Sequence, residues 1–183
     1  SNIKKLWVEM EQGALKRKHP FHIVNLSYKG SYAETCSVVL QGVLSEESRL
    51  RFHTHTGAAK VNAFQQDPRV SIMVYAPEMK LQIRFRGTVK MHHQDAETER
   101  VWHEMRDSSK QCYQLPAPGT VRGLDANVLT PKVLQSNLQK DSMAGYEAFM
   151  VCWLYCEEID VLELHHGGHQ RTLHQLQQGA WIT

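Results

Sequence analysis

Residues 51–70 read RFHTHTGAAKVNAFQQDPRV. The first residues alternate like a strand. Gly57 breaks the run, and Ala58 onward reads as a short helix that Asp67-Pro68 ends. His53 and His55 stand one residue apart, as two metal ligands from one strand face would. Lys60 falls in the first turn of the helix, where free backbone N–H groups and the helix dipole favour an anion. Thr54 and Thr56 add hydroxyl donors. A metal site, an anion site and a solvated polar turn are all consistent with these residues. Zinc or copper needs three or four converging ligands, and no H-x-x-x-H or H-E-x-x-H helix pattern supplies the rest. The pairs His92-His93 and His165-His166 are adjacent, so each could direct only one ring to a given face.

Outward from this stretch, RVSIMVYA (69–76) is strand-like. MKLQIRFRGTVKMHH (79–93) alternates cleanly: Leu81, Ile83, Phe85 and Val89 face one way, and Gln82, Arg84, Arg86 and Thr88 the other. Upstream, RLRFHTH (49–55) is a strand, reached from CSVVLQGVL (36–44) through the turn SEES. FHIVNLS (21–27) is another strand. Residues 3–18 form an amphipathic helix on Ile3, Leu6, Trp7, Met10 and Leu15. Downstream, Asp95 to Met105 reads as a second helix with an acidic first turn, and QLPAPGTVRG (114–123) as loop. A further helix is expected after Pro131. AFMVCWLY, EIDVLELHH and QRTLHQL read as three closing strands. Strands in antiparallel order with a few short helices predict a mainly β protein, a barrel with helical additions, rather than a parallel βαβ sheet.

The totals set limits. A chain of 183 residues with 42% apolar and 22% charged residues is an ordinary globular composition with room for one core. A formal charge of +2 is too small and scattered to argue for nucleic acid, and the run LKRKH (15–19) reads as a solvated helix end. No apolar run approaches membrane-spanning length, and no leader-like segment opens the sequence. Four cysteines, Cys36, Cys112, Cys152 and Cys156, form no C-x-x-C pair; they read as buried free thiols, which with the missing leader gives a cytoplasmic expectation.

The segment FHTHTGAAKVNAFQQDPRVSIMVYAPEMKLQIRFRGTV resembles the core of the pyridoxamine 5'-phosphate oxidase-like proteins, in the branch described as pyridoxamine-phosphate-oxidase-related, FMN-binding. Phe52, Thr54, Gly57, Lys60, Pro68-Arg69-Val70, Gln82 and Gly87 match in order and spacing, and HQRTLHQLQQGAWIT is similar to the closing segment of that group through His169, Arg171, Leu173, Ala180 and Trp181. The resemblance implies an antiparallel, Greek-key FMN-binding split barrel: a single domain over 1–183, with an N-terminal helix in 1–19 and a barrel with helical insertions in 20–183. It implies a homodimer with FMN at the subunit interface, a small-molecule substrate, and FMN-dependent oxidoreductase chemistry. The alternative is a non-enzymatic split barrel that carries flavin, or that carries haem through a histidine such as His53 or His165; a barrel that has lost its cofactor and serves as an interaction protein is a further reading.

By the same resemblance Lys60 contacts the FMN phosphate, with Thr54, Gly57 and Ala59 around it. Ser37, Val38, Val39 and Gln41 lie along the cofactor, His53 stands beside the flavin, Gln82 reaches the ring, and Arg171 is a second cation. No metal ligand is implied. The sequence departs from the pattern at Ala59 and Cys36, where arginines are usual, and at Gln41, where the oxidase has a substrate lysine. Arg49, Arg51, Arg84 and Arg86 are the arginines available to compensate. The oxidase's tyrosine, arginine and serine for the substrate phosphate are echoed only in WHEMRDSS, as Trp102, Arg106 and Ser108, with Arg106 placed along a helix; His169 aligns with a substrate-side histidine. Val151, Trp153 and Leu154 are apolar residues in excess of what a small barrel needs, and so point to a partner subunit.

Overall fold

A computed structural model of the chain describes residues 2–119 and 143–183. The helix expected after Pro131 lies outside them. The described residues contain nine strands, four α-helices and three 3-10 turns. The strands are β1 Ile23–Lys29, β2 Ala33–Val39, β3 Gly42–Leu44, β4 Arg49–His55, β5 Arg69–Ala76, β6 Leu81–His92, β7 Phe149–Glu163, β8 Gln170–Gln177 and β9 Ala180–Ile182. The helices are α1 Ile3–Leu15, α2 Ala59–Gln66, α3 Ala96–Glu104 and α4 Asp107–Lys110. The strands form one sheet in the order β2-β1-β5-β6-β7-β4-β3, with β8 on β7 and β9 on β8. This mostly antiparallel sheet with few helices is a split barrel. The chain divides into two compact units: residues 1–53, 63–90 and 152–183 form the first, and 54–62 with 91–151 the second.

In the first unit the sheet follows the alternation of its strands. Along β6, Ile83, Phe85 and Val89 are buried while Gln82, Arg84, Arg86 and Thr88 are only half-buried. Val24 and Leu26 of β1, Val70, Ile72 and Val74 of β5, and Leu50 and Phe52 of β4 supply the same apolar side. Gly87 has a geometric role. A Cβ there would collide with the carbonyl oxygen of Tyr155 and lie 2.9 Å from its carbon, so only glycine lets β6 approach β7.

The segment CSVVLQGVL is two strands, not one. β2 pairs with β1, whereas β3 pairs with β4. At the change of partner the N–H of Leu40 donates to the His22 carbonyl (2.8 Å) and that of Gln41 to the Arg51 carbonyl (2.8 Å). Conversely, AFMVCWLY and EIDVLELHH are one continuous strand, β7. No glycine or proline separates them, so nothing breaks the extended chain. Its apolar residues also require a correction. Val151, Trp153 and Leu154 are all buried within the single chain, so they give no argument for a partner subunit. β9 was not foreseen; Gln178 and Gly179, with φ of 49° and 81°, form the tight turn that folds it onto β8.

α1 is capped by Asn2, whose side chain accepts the N–H of Lys4 at 3.0 Å. It packs Leu6, Trp7 and Met10 inward, with the Trp7 ring 5.6 Å from Phe85. It ends at Leu15, short of residue 18, and Leu15 is exposed rather than packed. Of the cysteines, Cys152 and Cys156 are buried as expected, but Cys36 is half-buried and Cys112 exposed.

In the second unit Asp95 and Thr98 form a reciprocal capping box on α3. Trp102 is fully buried against Tyr113, Tyr146 and Phe149, at ring distances of 6.0, 5.5 and 5.1 Å. The chain leaves α3 through Met105 and restarts as α4 after Arg106, both residues being extended.

On β4, Arg49, Arg51, His53 and His55 share the face opposite Leu50, Phe52 and Thr54. Burial, aided by the Arg51 guanidinium, pushes the His53 pKa down to about 3. The folded protein therefore refuses a proton that the unfolded chain accepts below its ordinary value of 6.5. Stability from this residue is complete above that value and is lost as pH falls toward 3. His53→Phe should lower the acid slope of unfolding free energy between pH 6 and 4 by about 1.4 kcal/mol per pH unit. Equal slopes in urea titrations of the two proteins would show that His53 is protonated in the fold. For Gly87→Ala, a loss of about 3 kcal/mol or failure to fold is expected, because backbone rather than a flexible side chain opposes the added carbon. Thermal denaturation within 1 °C of wild type would refute the close approach.

Candidate functional site

The turn into α2 is shaped by His55. Its carbonyl accepts the N–H of Ala58 at 2.9 Å, and its Nδ1 accepts the N–H of Gly57 at 3.0 Å. The N–H of Thr56 donates to the Ala148 carbonyl at 2.9 Å. His55 is thus engaged in forming the turn. Among the described residues no acceptor takes the N–H of Ala59 or Lys60. These two donors open the helix beside the half-buried Lys60 side chain, while Thr54 is buried at the end of β4. Two free N–H dipoles, one ammonium and the positive end of a helix make a place for an anion. Ala59 is exposed and adds no charge.

Thr54, Gly57, Ala59 and Lys60 belong to the second unit; Ser37, Val38, Val39, Gln41, His53, Gln82, His169 and Arg171 belong to the first. Ser37 is exposed, and its hydroxyl donates to the Asn25 side-chain oxygen at 3.3 Å. Val38 and Val39 are half-buried and Gln41 is exposed. The Arg51 guanidinium donates to the Gln41 carbonyl at 3.1 Å and lies 5.3 Å from the centre of the Trp153 ring. It occupies space that a side chain at Gly42 would fill, since a Cβ there would meet Arg51 Nε at 2.9 Å. Arg49 sits over the Tyr155 ring at 4.2 Å and pairs with Glu47 at 2.8 Å. Of the two β4 arginines, Arg51 is therefore the one placed against an expected cofactor strand. Both His53 ring nitrogens are sealed from solvent.

Gln82 shares the polar face of β6 with Arg84 and Arg86. A cleft of about 710 Å³ opens over this face, bounded by Asn25, Ser27, Thr35, Ser71, Met73 and the three β6 residues. Arg171, on β8, forks onto Asp160 with two hydrogen bonds of 2.8 Å. Asp160 is 3% exposed. The Arg171 fork, with Arg84 and Arg86 each 3.8 Å away, holds its carboxyl below the usual carboxylate range despite that burial. Arg86 is also hydrogen-bonded to Glu158. Asp160 was missed in the sequence. Its signal was present: an acidic residue in the apolar run EIDVLE needs a buried cation, and the alternate arginines of QIRFR offer one. His169 is exposed in the turn before β8.

The proposed phosphate residues of WHEMRDSS differ in burial. Trp102 is fully buried, whereas Arg106 and Ser108 are exposed. Arg106 is not along a helix but precedes α4, because the chain is extended at Met105 and Arg106.

Residues 26–134 match the family described as pyridoxamine 5'-phosphate oxidase. Comparison with curated protein sequences gives no match. Among solved structures, the fold is similar to a pyridoxamine 5'-phosphate oxidase-related, FMN binding protein from Nostoc punctiforme PCC 73102, with a TM-score of 0.78 at 20% identity over 100% of this chain and 95% of that one. It is also similar to PhzG from Burkholderia lata 383, solved with tetrahydrophenazine-1-carboxylic acid, with a TM-score of 0.71 at 15% identity over 98% and 88% of the two chains. A protein related to general stress protein 26 from Clostridium acetobutylicum gives a TM-score of 0.58 at 11% identity over 92% and 94%. These likenesses show the fold. The family match spans more than half of the sequence, and the chain belongs to the pyridoxamine 5'-phosphate oxidase family.

Proposed function

We propose that the chain is an FMN-binding flavoprotein, an FMN-dependent oxidoreductase that acts on a small molecule, built as one domain and working as a cytoplasmic homodimer with FMN at the subunit interface. One observation carries the cofactor assignment: the start of α2, where the N–H groups of Ala59 and Lys60 have no acceptor among the described residues and Lys60 adds a full charge. This donor set fits a phosphate monoester, which needs hydrogen-bond donors and positive charge together. Thr54 is assigned as a supporting hydroxyl. Ser37, Val38, Val39 and Gln41 are assigned to the cofactor's length, Gln82 to its ring and Arg171 to a second cationic contact. Bound FMN would supply hydride chemistry, while the protein would orient the substrate and shield it from water. No helix among the described residues is long and apolar enough to cross a membrane.

Ala59 and Cys36, standing where the family pattern has arginines, favour a second reading in which flavin is carried without turnover. Haem ligation through His53 would require a sealed ring to turn outward. The visible spectrum of the purified protein separates these readings, since flavin absorbs near 450 nm and haem gives a Soret band.

Lys60→Ala and Arg171→Ala should each weaken FMN binding about tenfold or more, the loss expected for one charge-assisted hydrogen bond. Fluorescence titration with free FMN measures this, and unchanged affinity in both variants removes the phosphate-cradle assignment. Little oxidation of pyridoxamine 5'-phosphate is expected, with kcat/KM on the order of a thousandfold below that of a dedicated oxidase. Gln41 stands in place of a lysine, Trp102 is buried, and Arg106 and Ser108 lie exposed beside Glu104 and Asp107. Pyridoxal 5'-phosphate formed at oxidase-like rates in air by the FMN-loaded protein would contradict this.

A further inference from the structure

The polar cleft on β6 has one under-bonded guanidinium. Three guanidiniums, Arg84, Arg86 and Arg171, lie on the side of the sheet that also carries Glu157, Glu158 and Asp160. Arg171 is committed to Asp160 by its double hydrogen bond, and Arg86 to Glu158. The neighbouring Glu157 accepts from Thr88 at 3.1 Å. Arg84 is left over. Its nearest carboxylate oxygen, on Asp160, is 3.8 Å away, and its Nε is buried without a hydrogen-bond partner. A guanidinium offers five donors in a planar fork, and a buried donor left unmade is costly.

The cleft itself contains no carboxylate. Its polar wall residues are Arg84 and Arg86 together with the hydroxyls of Ser27, Thr35 and Ser71 and the amides of Asn25 and Gln82, and Met73 is its apolar one. Ser27 and Thr35 share one hydrogen bond of 3.1 Å, so one of their two protons remains to be donated. We propose that this cleft binds a small organic monoanion, a carboxylate, with Arg84 as its fork and the Ser27, Thr35 and Ser71 hydroxyls as supporting donors. The single planar fork of Arg84 matches the two oxygens of a carboxylate and leaves the second charge of a phosphate dianion without a cation of its own. Because Gln82 lines the same cleft, the inference names the substrate class of the proposed flavoprotein and rests on that reading only for calling the ligand a substrate. An aromatic or short aliphatic acid fits a space of about 710 Å³.

The probes are benzoate, phenyl phosphate and benzamide, titrated calorimetrically into the full-length protein with and without FMN. Benzoate should bind most tightly of the three. Arg84→Ala should weaken it by about 10- to 100-fold, the range for one charged fork. Arg84→Lys, which keeps the charge and loses the fork, should fall between, and Arg69→Ala, which removes an exposed arginine paired with Asp67, should leave it unchanged. Benzoate affinity equal in wild type and Arg84→Ala, or benzamide binding as well as benzoate, overturns the site. Tighter binding of phenyl phosphate than of benzoate overturns the carboxylate class. Mutual exclusion of benzoate and FMN overturns the proposal by making the cleft the flavin's own. A protein that binds benzoate through Arg84 but takes up no FMN upholds the anion site and refutes the flavoprotein reading, so the two fail separately.

Discussion

The polar face of the sheet depends on the approach of β6 to β7 at Gly87. With no side chain there, β6 lies against the Tyr155 carbonyl, and the arginines one and three residues away come level with the acidic residues of β7. A larger residue would push the strands apart at the point where Arg86 meets Glu158. Ion pairs of this kind need good geometry to offset the desolvation of both partners. A backbone constraint therefore fixes the spacing on which the whole charged cluster relies, and through Asp160 it also sets the position of Arg171 on β8.

Much of the fold was legible because the strands alternate strictly. LQIRFRGTV and RVSIMVYA were read to within a residue or two of β6 and β5, since a one-residue slip would expose Ile83 and Phe85. The Asp95 helix was legible from its acidic first turn. The errors have physical causes. CSVVLQGVL carries no break in composition at Leu40, because the chain changes hydrogen-bond partners there without a turn. β7 was cut in two because the acidic pair Glu157-Glu158 interrupts its apolar run while its backbone stays extended. Apolar excess in that strand suggested a partner, but a strand with neighbours on both edges and both faces covered is apolar throughout without one.

The candidate site was partly legible. A glycine turn, a first-turn lysine and a polar strand face are local patterns, so Gly57, Lys60 and Gln82 could be picked out by inspection. Arg171 was named, but its partner was not: Asp160 is eleven residues away in sequence, and pairing across β7 and β8 cannot be read from spacing alone. The same holds for Arg51, whose guanidinium reaches the carbonyl of Gln41 only because β3 folds back on β4. Local signals disclosed the donors; the network that orients them came from tertiary pairing.

The strand order has a kinetic consequence. β7 is flanked by β6 and β4, yet its first residue follows the last of β6 by more than fifty positions and that of β4 by more than ninety. The β1–β2 and β5–β6 hairpins can zip locally, but β7 must be captured across two long intervals of sequence, at a closure cost that no single early contact repays. This interior strand of the sheet is thus among the last to be placed, and until it arrives β4 and β6 both present open edges. Those edges carry Arg49, Arg51, Arg84 and Arg86, and the mutual repulsion of their guanidiniums keeps the half-made sheet from pairing with another copy of itself.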